Sequence, residues 1–197
     1  MPDATPSDAT PSDAINADTQ MRRLIPLVLI GAAVSVALGV YGRLHNPTPT
    51  ITTFGIFSDT IHMKAWLATV VVVLALVQLT TALAIYGKLK IGGAAGTPRW
   101  VSPTHRWSGR LAFLISIPVA YHCLWSLGFQ SSSTRILVHS LLGCFFYGVF
   151  VTKMLVLHTP RLPGWALPWA GGLTFTTLVA IWLTSALWLF TNIGVQF

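Results

Sequence analysis

Five apolar stretches dictate what this chain can fold into: Leu24–Tyr41, Ala65–Tyr86, Trp107–Phe129, Ile136–Leu157 and Trp169–Phe190. Crossing the hydrocarbon core of a bilayer takes roughly 20 helical residues. The last four stretches meet that length and the first is marginal. In hydrocarbon, a lone segment can satisfy its backbone N–H and C=O groups only as a helix. The sequence therefore predicts an all-α fold, a five-helix transmembrane bundle over residues 21–197. Charge content agrees: 9% of residues are charged and 53% apolar, whereas soluble domains carry about 25% charged residues.

Ahead of the bundle, residues 1–20 read as a disordered cytoplasmic tail. Asp3–Ser12 is a tandem DATPS repeat with no apolar face to bury, so it cannot offset the entropy of ordering itself. The simplest role for it is a spacer. The tail is acidic, which is wrong for the n-region of a signal peptide, and no convincing A-x-A site follows the first stretch. That stretch is expected to stay as an anchor. Asn46–Ser58 reads as a Pro- and Thr-rich loop, with Ser58 or Asp59 as N-cap of the second helix.

Basic residues give an orientation. Arg22, Arg23, Lys88, Lys90, Arg99, Arg106, Arg110, Lys153 and Arg161 would share one side, and only Arg43, Lys64 and Arg135 the other. The richer side is read as cytoplasmic, in a multi-pass plasma-membrane protein with an internal N-terminus and an external C-terminus. The tryptophans fall near both edges, as interfacial belts do. The net charge of +7 arises from these flanking positions and does not point to nucleic acid.

The acids are Asp3, Asp8, Asp13, Asp18 and Asp59, with no Glu anywhere. From residue 60 onward there is no carboxylate at all. Paired-carboxylate hydrolysis, a Ser-His-Asp triad and hard-cation sites are thereby excluded from the membrane body. The two cysteines, Cys123 and Cys144, form no CxxC or CxxCH. Imidazoles, thiols and backbone groups remain for site chemistry.

Ionisable residues in a span are functional by default, and the histidines sit at span ends. His105 and His158 belong to the predicted cytoplasmic side; His45, His62, His122 and His139 belong to the other. His45, beside Pro47, reads as a hydrogen-bonded loop residue. His122 and His139 would face each other across the hairpin of helices three and four, each roughly 10 Å deep. Equal depth suits a bis-histidine haem. His105 and His122 stand roughly 25 Å apart along one helix, so they would serve two different haems. Yet successive helical residues turn by about 100°, which leaves His105 and His122 pointing in different directions. One histidine per helix fits more easily, with His62 pairing His139 and His105 pairing His158. Sequence does not choose between His62 and His122, but it leans to His122, because His62 is shallower and Lys64 stands beside it.

Gly109 and Gly143 follow His105 and His139 by one turn and would let a flat macrocycle approach the backbone. Arg106 and Arg110 are candidates for haem propionates or lipid headgroups. Cys123 and Cys144, with His122 and His139, are a candidate soft-metal site, although buried thiols more often pack as small apolar groups.

A compact bundle with histidines at both faces resembles the cytochrome b-561 and ferric-reductase class of transmembrane electron carriers. The runs HRWSGRLAFLISIPVAYHCLW (His105–Trp125), HSLLGCFFYG (His139–Gly148) and LPGWALPWAGG (Leu162–Gly172) resemble an actinobacterial family of integral membrane proteins with no established activity. The first resemblance implies one or two haems b held by His105, His122, His139, His158 or His62. It also implies a transmembrane oxidoreductase component exchanging electrons with a quinone or a redox protein. The alternative is a cofactor-free subunit or transporter whose histidines relay protons or pass a metal.

Overall fold

The computed structural model describes residues 11–48, 53, 55, 57, 59–93 and 96–196. Among them all regular structure is helical. Helix α1 runs Pro11–Leu44, α2 Thr60–Ile85, α3 Val101–Tyr121, α4 Thr134–His158 and α5 Ala166–Trp182. Helix α3 continues into π-helical turns at His122–Leu127, and α5 passes through a π-helical segment, Leu183–Leu187, into the short α6, Trp188–Asn192. Five spans long and apolar enough to cross a membrane result, at Ala17–Leu44, Thr60–Ile85, Val101–Leu127, Thr134–His158 and Ala166–Asn192. Three predicted stretches fall inside them, and the other two, Ala65–Tyr86 and Trp107–Phe129, overrun their spans by one and two residues at the C-terminal end.

The tail is shorter than expected. Residues 11–20, read from composition as disordered, belong to α1; residues 1–10 lie outside the described residues. Once a helix is nucleated by a long apolar span, each added turn costs little. Asp18 also pairs with Arg22 one turn on, at 2.8 Å, an arrangement that supports a helical extension.

Helix starts follow local chemistry. Asp59 is the N-cap of α2, its carboxylate accepting from the backbone N–H of Ile61 and of His62, both at 2.8 Å. Ser58 lies outside the described residues. Ser133 caps α4 by accepting from Ile136 N–H. Pro118 sits inside α3, where it deletes one ladder hydrogen bond, and the helix widens to π geometry one turn later.

The spans bury little of themselves. In the most apolar window of each, the buried share runs from 11% in α1 and the third span to 28% in α2 and α4. Leu, Val, Ile and Trp side chains face outward instead, as they must when lipid is the solvent.

Helix α2 packs on α3 and α5, and α4 packs on α1 and α5. The α1–α4 seam is the closest. A Cβ on Gly31 would collide with Thr152 Oγ1 and the Gly148 carbonyl, and one on Gly148 with Ser35 Oγ and the Gly31 carbonyl. Gly31-xxx-Ser35 thus meshes with Gly148-xxx-Thr152, small residues letting two backbones touch where no hydrophobic effect pulls helices together. Leu24, Val156 and Ala166 tie α1, α4 and α5 at one end. Ala65, Ala186 and Leu189 tie α2 to the fifth span at the other.

Helices α3 and α4 do not form the packed hairpin expected from their short connection; they barely touch. Side chains bridge the space between them. Phe113 stacks on Phe150 with centroids 4.6 Å apart, and the Tyr147 hydroxyl donates to Ser116 Oγ at 3.3 Å. The π-helical end of α3 leans on α1. There Phe129 N–H donates to the Gly42 carbonyl at 2.7 Å. His45 lies between Tyr41 and Trp125, its centroids 5.1 and 4.6 Å from theirs, with Nε2 3.1 Å from the Trp125 carbonyl. Its role is the structural one expected of a loop histidine.

Candidate functional site

At the start of α2, the two oxygens of Asp59 do different work. Oδ1 caps the helix; Oδ2 lies 2.6 Å from His62 Nδ1. The backbone N–H of His62, followed by its ring, holds the Asp59 carboxyl below the usual carboxylate range. Asp59 is therefore an acceptor, and His62 Nδ1 donates to it. His62 itself is 5% exposed. Its Nε2 is buried with no hydrogen-bond partner among the described residues. With Nδ1 held by Asp59, Nε2 is the ring nitrogen left for a further contact. A buried polar atom without a partner costs about 1–3 kcal/mol, which makes this nitrogen the candidate ligand position of the site.

Other imidazoles also meet protein oxygens through Nδ1. Thr81 Oγ1, on α2, donates to the Val77 carbonyl at 2.6 Å. It thereby turns its lone pairs to His105 Nδ1, 2.9 Å away. Thr184 Oγ1 donates to the carbonyls of Ala180 and Ile181 and lies 3.2 Å from His139 Nδ1. His158 Nδ1 donates to the Met154 carbonyl of its own helix at 2.7 Å. In each ring Nδ1 lies against a protein oxygen, and at His62 and His158 that oxygen can only accept, an arrangement that fixes ring orientation.

Around His139 the π-helical segment matters. An i→i+5 turn widens the helix and frees carbonyls. Arg135 Nη1 donates to the Thr184 carbonyl at 2.8 Å, and its guanidinium lies 3.7 Å over the Trp188 ring. Helices α2 and α4 both pack against this π-helical segment. Helices α2, α4 and the fifth span therefore converge at this end. His122 opens the other π-helical segment, at the matching end of α3.

At the opposite end, His105 is half-buried between α3 and α2. Gln78 Nε2 donates to the His105 carbonyl and, at 2.8 Å, to Ser108 Oγ. His158 is exposed at the last residue of α4. The two rings share no hydrogen bond or ring contact, and each is tied to a different helix.

The remaining candidates separate. A Cβ on Gly109 would meet the Gln78 side chain at 3.1 Å, so this glycine admits the α2 amide and not a macrocycle; Gly143 has nothing within 4 Å. Arg106 and Arg110 are exposed, and Arg110 lies 5.1 Å over the Trp107 ring, which is a headgroup-level arrangement more than a propionate clamp. Among the described residues no group of three or more His, Cys, Asp or Glu is placed to hold a metal ion, so Cys123, Cys144, His122 and His139 are not gathered into a soft-metal cluster. Both thiols are free.

Sequence reasoning saw Asp59 as a cap and missed it as the partner of His62. The D-x-x-H spacing was the available signal, since a first-turn residue at i+3 returns to its N-cap. The hydroxyl partners Thr81 and Thr184 carried no such mark, because their helices are distant in sequence.

Five spans and an imidazole set oriented by protein oxygens define a polytopic helical membrane protein. The chain belongs to the family of unknown function DUF6529, whose profile matches residues 24–197. No curated protein matches it, and no solved structure does.

Proposed function

We propose that this protein is a b-type haem carrier that moves electrons across or within the plasma membrane, with its N-terminus cytoplasmic. The observation that carries this reading is the oriented imidazole of His62, with Nδ1 held by Asp59 and Nε2 buried and unpartnered. His62 would be one residue holding the haem, with His139 or His122 the other, and Asp59 would fix the ring. Two axial ligands suffice for a haem iron, so no cluster of three is needed. A bound haem would supply reversible one-electron chemistry. The residues around it exclude water and place the imidazoles. His105, whose Nε2 also remains after Thr81 takes Nδ1, is the ligand available for a second haem, with His158 as its partner. A quinone or a redox protein would complete the electron path.

The test is an optical spectrum of the detergent-solubilised full chain, oxidised and then dithionite-reduced. A Soret band and a pyridine haemochrome are expected; a colourless protein from haem-replete cells ends the proposal.

A second reading has its own support in the imidazole–hydroxyl pairs His105–Thr81 and His139–Thr184, which are proton-relay geometry. It predicts pH-dependent flux in vesicles without a chromophore, abolished by His139→Ala.

A further inference from the structure

Helices α1 and α4 touch at Gly31 and Gly148 and then part. Towards the His62 end they leave a groove of about 840 Å³ running from Ser35 to Leu44. Val40 and Phe145 form its walls, and Phe129 and Arg43 close its outer end. Gly39 and Cys144 form its floor, where a Cβ on Gly39 would come 3.8 Å from the Cys144 sulfur.

Its dimensions match one leaflet. From Ser35 to Leu44 the helix rises about 14 Å, and half of a hydrocarbon core is about 15 Å. Its charge is equally specific. Arg43 lies in the last turn of α1 and is exposed. The described acidic side chains are engaged elsewhere, Asp18 with Arg22 and Asp59 with His62. Arg135, on the same side of the bundle, is spent on Thr184 and Trp188. An apolar channel one leaflet long, ending in a guanidinium, is complementary in shape and charge to an anionic phospholipid.

We propose that this groove is a specific site for an anionic phospholipid, one acyl chain lying between α1 and α4 and the headgroup phosphate held by Arg43. A guanidinium holds a phosphate through two parallel N–H donors, whereas a zwitterionic headgroup brings its own cation to compete. The site stands apart from the imidazoles, so it survives or fails independently of the haem reading.

Native mass spectrometry of the full-length protein in mild detergent tests it, with phosphatidylglycerol or phosphatidylcholine added at equal concentration. Wild type should retain one phosphatidylglycerol, about tenfold more than phosphatidylcholine, the value of one charge-assisted contact of roughly 1.5 kcal/mol. Arg43→Gln, on an exposed side chain, should bring the two lipids level. Gly39→Leu should fill the floor and release both. Equal retention of the two lipids, unchanged in Arg43→Gln, overturns the proposal. So does displacement of the lipid by inorganic phosphate, which would mark a bare anion site, or a groove filled by a second copy of the chain, seen as a lipid-free dimer.

Discussion

The two ends of the bundle hold their histidines differently. At the His105 end, two helices close a local network: Gln78 and Thr81 reach the His105 backbone and ring, and Gln78 fills the notch at Gly109. At the His62 end, three spans converge, the fifth is widened by π-helical turns, and a carboxylate-backed imidazole keeps a buried nitrogen unpartnered. The first arrangement satisfies polar groups and locks helices. The second leaves one waiting, which in a low-dielectric setting is costly unless something binds there. The two ends thus differ in how far their polar groups are satisfied among the described residues.

The largest effect that bears on this contrast is expected from His62→Leu. It should abolish the haem absorbance of the His62 end while the protein still folds, because leucine removes an unpaired nitrogen from a buried site. Full absorbance in that variant would erase the distinction between the ends. Asp59→Asn is the next probe. An amide still caps α2 but is a poorer acceptor for the imidazole, and loss of such an outer partner typically costs 10- to 100-fold in affinity; haem-retention titrations would show it.

Packing supplies the third probe. Gly148→Val forces apart backbones that touch, and overpacking of this kind costs about 1–3 kcal/mol, read as a lower Tm. Gly143→Ala, in open space, should stay within about 0.5 kcal/mol of wild type. A Gly148→Val protein as stable as wild type would show that the α1–α4 seam is not the mechanical base of the bundle. Thr81→Val should cost about 1 kcal/mol through one hydrogen bond without touching the His62-end spectrum.

The smallest effect is the pH dependence of the α2 cap. The fold lowers the Asp59 pKa, so its contribution is fully present above the ordinary carboxylate range and fades as pH falls through the lowered value. Exposure and solvent screening keep it modest. Acid unfolding followed by circular dichroism should lose this component in Asp59→Asn; identical acid transitions in both proteins would disconnect the cap from the stability of α2.

How legible was this in the sequence? The spans were, because hydrocarbon permits no compromise over backbone hydrogen bonds, so a run of apolar residues states its own conformation. Asp59 as an N-cap was legible for a similar reason: the cap acts within a few residues. The start of α1 was misread, since the composition of residues 11–20 carries no trace of the helix they extend. The notch at Gly109 was assigned to a macrocycle when its filler, Gln78, lies on another helix.

By itself the sequence determined the number of spans, the all-α class, the want of acid chemistry after Asp59 and the identity of the titratable side chains. These follow from composition and from interactions within a turn or two. Only the tertiary structure decided which helices touch, that α3 and α4 stand apart, which oxygen meets each Nδ1, and where two glycines bring α1 onto α4. Those outcomes depend on steric fit between surfaces remote in sequence. In lipid, where hydrophobicity cannot rank one helix pairing above another, small differences in packing and hydrogen bonding make the choice.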